Sequence, residues 1–428
     1  MTGHEPAMTA ALMESYVLEW LQLGVRWLHM IAGIAWIGAS FYFVWLNNNV
    51  KNPSPAGDGK SEPEGVANAT PSGSESFDGE LHAIHGGGFY RVQRYALAPK
   101  ELPHDLHWFK WEAYTTWLSG ISLLVLVYYL NPQVYLIDAN VAKLESWVAI
   151  SIGVGFLIAG WLVYDLLQRS PLGKSQLAFG AVFFSLVIAA SYYLCHTFGG
   201  RAAYLHIGAM LGTIMVGNVF FTIIPSQREL VNAKTEGRLP NKKFAEAAKN
   251  RSLHNNYITL PVLFIMISNH YPMTFSHEYN WAILGAISLG GALIRHWFNL
   301  RGQGRAAPWL WVMSVVVFIA VIVLTAPKRS VALRAPQGDA TTVAFAEVDT
   351  IIGKHCRGCH AEKPTDAVFK IAPNGVKYDT PQQISAMAVK IRQRAVETNS
   401  MPFGNKTNMT QAERELLGRW IDQGAKVE

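Results

Sequence analysis

Charge is what this sequence has least of. Lys, Arg, Asp and Glu make up 15% of its 428 residues, against about 25% in soluble domains, which excludes an ordinary water-soluble globular protein. Cysteine is scarcer still, with only three residues. Two of them, Cys356 and Cys359, stand close together, and the third, Cys195, lies far away in an apolar segment. A zinc site would need a second ligand pair at suitable spacing, and there is none. The amino-terminal apolar run lacks a basic leader and is too long for a cleaved signal peptide. Half of the residues are apolar, and the mean hydropathy of +0.15 is modest only because polar segments dilute it.

About 20 apolar residues span a bilayer as a helix. Eight such runs are present, at 16–46, 113–130, 147–167, 177–195, 202–224, 257–271, 281–300 and 309–326. The sixth is the shortest and contains Pro261. The expected fold is therefore all-α: an eight-helix transmembrane domain over 1–327, a linker at 328–343 and a compact domain over 344–428. Within the loop 47–110, the Gly/Ser/Pro/Glu-rich tract 52–79 reads as flexible. The alternation at 82–92 predicts a hairpin folded against the mouth of the bundle, and segment 225–256 predicts surface helices.

The compact domain carries His355-Cys356-Arg357-Gly358-Cys359-His360. Cys-x-x-Cys-His is the spacing at which two thiols add to the vinyl groups of one haem while the following imidazole ligates the iron. A thioredoxin-like CxxC would sit at a strand-to-helix turn, which the surroundings do not suggest. Heme c is thus the expected cofactor, in a class I cytochrome c domain with a last helix at 411–423. The second axial ligand is expected from Met401, on the Pro/Gly loop Ser400-Met401-Pro402-Phe403-Gly404; Met387 and Met409 lie on likelier helical stretches. A thioether opposite histidine raises the potential, which suits an electron acceptor.

Covalent haem attachment takes place on the outer face of the bacterial inner membrane, so this domain is expected in the periplasm. With eight spans the N-terminus is periplasmic too. The loops then assigned to the cytoplasm, 47–110, 168–174, 225–256 and 301–307, hold 17 Lys and Arg, whereas those assigned outside hold only Lys143 and Arg201. The positive-inside rule gives the same orientation. Loop charge also accounts for the net charge of +6, so no nucleic-acid partner is needed.

Ionisable residues inside spans default to function. Here they are Arg26, His29, Asp165, His206, His270, Arg295 and His296. An internal repeat is suggested by Leu28-His29-x-x-Ala32 against Leu205-His206-x-x-Ala209, and by Tyr114-x-Thr116 against Tyr257-x-Thr259. It implies two parallel four-helix halves and makes His29 and His206 the natural pair for a second, b-type haem by bis-imidazole ligation; hydrogen bonding to a neighbouring helix is the plainer role for each. Arg26 precedes His29 by three residues, so both lie on one helix face. A fixed cation beside an imidazole suits an anionic planar substrate; snorkelling to the interface is the alternative for Arg26. Asn255-Asn256-Tyr257-x-Thr259 adds groups able to read amide-like edges, and many of the 14 Trp and 16 Tyr stand near span ends as membrane anchors.

The stretches Arg26 to Gly38 and His254 to Phe264, with Ser268-Asn269-His270-Tyr271-Pro272 and the terminal CxxCH, together resemble the bacterial integral-membrane urate oxidases across essentially the whole chain. The resemblance implies oxidation of urate to 5-hydroxyisourate with water as the oxygen source and without peroxide. It implies electron exit through the haem of Cys356, Cys359, His360 and Met401 to a soluble cytochrome c or terminal oxidase. On the chemistry of their side chains, Arg26, His29, Tyr257 and Thr259 are the expected substrate-site residues. Two rival classes are a quinol-to-cytochrome electron-transfer subunit and a transporter or sensor with a tethered cytochrome.

Overall fold

The apolar runs become helices, and among the described residues several polar side chains, His206, Asn218, Arg251 and Arg295 among them, are buried between them. The structure is a computed structural model, and it describes residues 4–50, 77–96, 98–326 and 342–427. Its membrane part contains α1 (His4–Asn49), α2 (Trp111–Leu124, prolonged by a π turn at Val125–Tyr129), α3 (Ser146–Arg169) and α4 (Gln176–Cys195). These are followed by α5 (Gly200–Asn218), α6 (Ile224–Thr235), α7 (Lys242–Ser268), α8 (Asn280–Gly302) and α9 (Pro308–Leu324). Local signals set the boundaries. The Ser175 hydroxyl caps α4 by accepting from Ala178 N–H, the Asn241 side chain caps α7, and Pro308 opens α9, where its missing N–H costs nothing.

Five described helical stretches are long and apolar enough to cross a membrane: Val17–Asn49, Ser146–Arg169, Gln176–Cys195, Gly200–Thr235 and Asn280–Gly302. The other three expected spans also form helices at their places but fall short of that measure. The second is interrupted by its π turn, the sixth is polar over its first half, and the eighth has 17 residues. Large apolar side chains such as Trp147, Leu166, Ile322 and Leu324 face outward on the periphery. In water they would form an apolar belt far larger than a soluble monomer exposes. At the centre stands α5, where Tyr204, His206, Ile207 and Asn218 have no exposure at all.

Two expectations need correction. The segment 225–256 is not wholly surface helix: α7 runs unbroken from Lys242 to Ser268, with Pro261 inside it. Arg251, His254, Asn255 and Asn256 are consequently buried in the bundle, so Arg251 is an interior cation and not a loop charge. The predicted hairpin does form, with β1 (Phe77–His85) paired antiparallel to β2 (Gly88–Tyr95) across a turn at Gly86 and Gly87. It does not cover the bundle mouth, because Ile84 and Phe89 remain 69% and 90% exposed. The expected linker lies mostly outside the described residues.

The C-terminal domain has its own apolar core, built from Val348, Ile352, Ile384, Leu417 and Trp420. It begins with α10 (Phe345–His355), which leads straight into the CxxCH motif, and ends with α11 (Gln411–Asp422), opened by a Thr410/Glu413 capping box. The domain rests on the membrane part through the loop between α2 and α3. Tyr135 packs edge-on against Phe403 at 5.2 Å and Phe369 at 6.1 Å, Arg201 lies over Phe403 at 5.7 Å, and Asn405 donates to Asn140 at 3.2 Å. Gly404, at φ +58°, has Ile137 and Val134 carbonyl oxygens 3.2 and 3.3 Å from where a Cβ would stand. The domain thus meets loops that helix alternation assigns to its own side of the bilayer.

Candidate functional site

Three groups of side chains carry chemistry. The first is the CxxCH turn. Cys356 closes α10 and sits against the domain core, while Cys359 and His360 follow on the same turn, their N–H groups bonded back to the Cys356 carbonyl at 3.2 and 2.9 Å. The Nδ1 of His360 is 3.1 Å from the Val376 carbonyl. That bond places the proton on Nδ1 and leaves Nε2 free, the arrangement an axial histidine requires. Arg357 anchors the turn by donating to the Tyr378 carbonyl and pairing with Asp349. Met401 is fixed at both ends of its peptide unit. Its N–H donates to Arg394 O at 2.9 Å, and its carbonyl accepts from Arg414 at 2.7 Å. Met409 and Met387 belong instead to the apolar core. The donor set fits a covalently attached haem: two thiols and an oriented imidazole on one turn, and a thioether on a separately braced loop. That loop, Met401 to Asn405, is also the one seated on the membrane part. Among the described residues no cluster of three or more His, Cys, Asp or Glu could hold a bare metal ion.

The second group lies at the outer ends of α2 and α5, beneath that loop. His206 is fully buried, with Nδ1 2.8 Å from the Ala202 carbonyl and Nε2 3.1 Å from the Tyr129 hydroxyl. The pair fits only because residue 153 is glycine; a Cβ there would be 2.7 Å from the Tyr129 oxygen and 2.8 Å from His206 Nε2. Next to it the Tyr128 ring stands edge-on to both His206 and Tyr135. Its hydroxyl is sealed from solvent without a hydrogen-bond partner among the described residues. Arg201 donates to Asn269 Oδ1 at 3.0 Å and is near Tyr128.

The third group joins α7 to its neighbours in the inner half. Arg251, 4% exposed, pairs with Asp165 at 2.5 Å and donates to Asn218 at 3.1 Å. Asn218 in turn reaches Tyr164 and Asn255, and His254 stacks on Phe179 between Tyr164 and Gln176. On the other side of α7, Arg295 donates to Asn256 Oδ1 at 3.0 and 3.1 Å and packs its guanidinium over Phe41 at 4.1 Å, while the Tyr257 hydroxyl meets His296 Nδ1 at 2.6 Å.

Residues 15–326 match the family described as urate oxidase, N-terminal. The chain belongs to this family. Membership makes urate the substrate class and oxidation the reaction class, and the matched region coincides with the helical bundle. The CxxCH domain lies beyond the matched residues. No curated protein and no solved structure matches the chain.

The residues expected to form the urate oxidase substrate site are not brought together. His29 lies against α2, with Nδ1 2.9 Å from the Thr116 carbonyl and 3.1 Å from Ser119 Oγ, and Arg26 is exposed on α1. Tyr257 belongs to the inner group, and the Thr259 hydroxyl is spent on the Asn256 carbonyl at 2.6 Å. Nor do His29 and His206 face one another. The first touches α2 at Gly120 and the second meets Tyr129, nine residues further along, which is about 13 Å at helical rise. The repeat relates α1 to α5 and α2 to α7; α1 packs on α2 and α5 on α7, yet the two histidines point into different surroundings. Sequence reading missed Tyr128, Tyr129 and Arg201 because a tyrosine at a span end looks like an anchor and Arg201 like a loop charge. The one available signal was that Arg201 is nearly alone among basic residues in the loops expected outside.

Proposed function

We propose that the chain oxidises urate to 5-hydroxyisourate in the bacterial inner membrane, with its C-terminal domain in the periplasm as a class I cytochrome c. One observation carries the reading. A bundle of the urate oxidase family has seated directly on it the loop that holds Met401, in a domain whose CxxCH turn presents an oriented His360. The balance is that urate monoanion and water give 5-hydroxyisourate, one proton and two electrons, so dioxygen need not enter the site. When bound, the haem supplies a one-electron acceptor.

The protein residues do the rest. Cys356 and Cys359 anchor the group, the Val376 carbonyl holds the His360 ring in its tautomer, and Arg394 and Arg414 fix the Met401 loop. Tyr135 and Phe403 hold that loop against the bundle. A soluble cytochrome c or a terminal oxidase would take the electrons onward. Two electrons leave each urate and a single haem accepts one, so two successive transfers are needed unless the membrane part holds a second centre. A b-type haem shared by His29 and His206 gains no support from rings held at separate levels.

The source of oxygen tests the reading. Turnover in isotopically labelled water should place the label in the hydroxylated product and yield no hydrogen peroxide; label from dioxygen, or stoichiometric peroxide, would sink it.

A further inference from the structure

Two features of the outer group are incompletely satisfied within the fold. The Tyr128 hydroxyl is buried without a partner, and a sealed donor of this kind costs free energy unless something accepts from it. The Arg201 guanidinium has no Asp or Glu within ion-pair distance among the described residues; its side chain reaches the neutral Asn269, the Phe403 ring and the neighbourhood of the Tyr128 hydroxyl. Arg26 has no ion pair among them either, and both cations lie within electrostatic range of Tyr128 and Tyr135. Beside these donors stands one acceptor. His206 gives its Nδ1 proton to the Ala202 carbonyl, so Nε2 takes the Tyr129 hydroxyl proton.

We propose that the cluster of Tyr128, Tyr135, Arg201 and the Tyr129–His206 pair is the subsite for the urate anion. The proposal rests on the oxidase reading above and gives that reading its place. Urate is planar and anionic, and its carbonyl oxygens and deprotonated nitrogen accept hydrogen bonds. The Tyr128 hydroxyl and Arg201 supply the donors, the rings of Tyr128 and Tyr135 supply flat apolar walls, and the unneutralised cations supply the charge preference. The Tyr129–His206 pair is placed to take a proton as electrons depart.

Position decides between this group and the inner one. Arg295 also lacks a carboxylate, and Asn256 Nδ2 beside it is unpaired. But Arg295 stands fifteen residues along α8 from its outer end at Asn280, about 22 Å at helical rise. Tyr135 is in ring contact with Phe403, two residues from Met401. Electron transfer falls steeply with distance, so the outer group is the one from which the electrons can leave.

The test is equilibrium binding of urate to the purified, haem-loaded full chain in its oxidised form. Tyr128→Phe is the cleanest variant, because the oxygen it removes has no partner to lose. It should leave thermal stability unchanged or higher while weakening urate binding about 10- to 100-fold. Arg201→Gln should weaken it at least as much, Arg201→Lys less, and Arg295→Gln should leave it within about threefold. Reduction of the haem by ascorbate should be the same in all four. Wild-type affinity in both Tyr128→Phe and Arg201→Gln, or its loss in Arg295→Gln alone, would overturn the subsite. Tyr128-dependent binding without urate-driven haem reduction in the wild type would keep the subsite and overturn the oxidase reading. No binding to the wild type would overturn the subsite.

Discussion

Arg251 and Asp165 form a buried ion pair whose two ends are unequally protected, and substitution should expose the inequality. Arg251 is 4% exposed and has one carboxylate partner, whereas Asp165 is 15% exposed and also pairs with Arg169 at 2.7 Å. Asp165→Asn would leave a buried guanidinium without a carboxylate, facing only neutral amide oxygens at residue 165 and Asn218 and the rings of Tyr164 and Trp161. Removing one partner of such a pair costs about 3–5 kcal/mol. Arg251→Met leaves Asp165 its contact with Arg169 and with solvent, and fills the space with an apolar chain, for a cost of about 1–2 kcal/mol. At roughly 2–4 °C per kcal/mol, Asp165→Asn should lower the melting temperature of the detergent-solubilised protein by about 6–20 °C and Arg251→Met by about 2–8 °C. The double variant, with neither charge, should be more stable than Asp165→Asn alone. A larger loss for Arg251→Met than for Asp165→Asn, or additivity within about 0.5 kcal/mol, would refute the asymmetry.

Three further outcomes follow from the C-terminal domain. Gly404→Ala adds a Cβ against the Ile137 and Val134 carbonyls at a left-handed position, so urate-driven haem reduction should slow several-fold while ascorbate reduction does not; equal urate rates would dissociate that contact from electron flow. Met401→Ala should leave the haem covalently attached but lower its reduction potential, and an unchanged potential in redox titration would remove Met401 as ligand. The Glu413 carboxyl is held below the usual carboxylate range by Lys354, the Thr410 N–H and His355, despite some desolvation. Its contribution to stability is therefore complete above the ordinary carboxylate pKa and is lost as the pH falls through the depressed one. Denaturation followed by haem absorbance should show stability declining on acidification below about pH 4.5, with a shallower decline in Glu413→Gln.

How far the sequence could be read depended on what encodes each feature. The apolar helices, the CxxCH turn, the hairpin and α11 rest on local periodicity and spacing and form at the places residue patterns give them, although among the described residues only five helical stretches are long and apolar enough to cross a membrane. The continuity of α7 did not show, because Lys242 to Asn256 is polar enough to read as a surface helix. What buries it is partnership: Asp165 for Arg251, Asn218 for Asn255 and Arg295 for Asn256, each from a different helix. The substrate site was illegible for a related reason. Arg26 and His29 share a helix face, but which helix that face meets is a tertiary fact. Tyr128 and Arg201 gain meaning only when the C-terminal domain is set down upon them.

Anaerobic mixing of the oxidised, haem-loaded protein with urate tests the central claim most directly. The account predicts rapid appearance of the reduced c-type absorption, with two haems reduced for each urate consumed. Reduction by a quinol analogue but not by urate would contradict it.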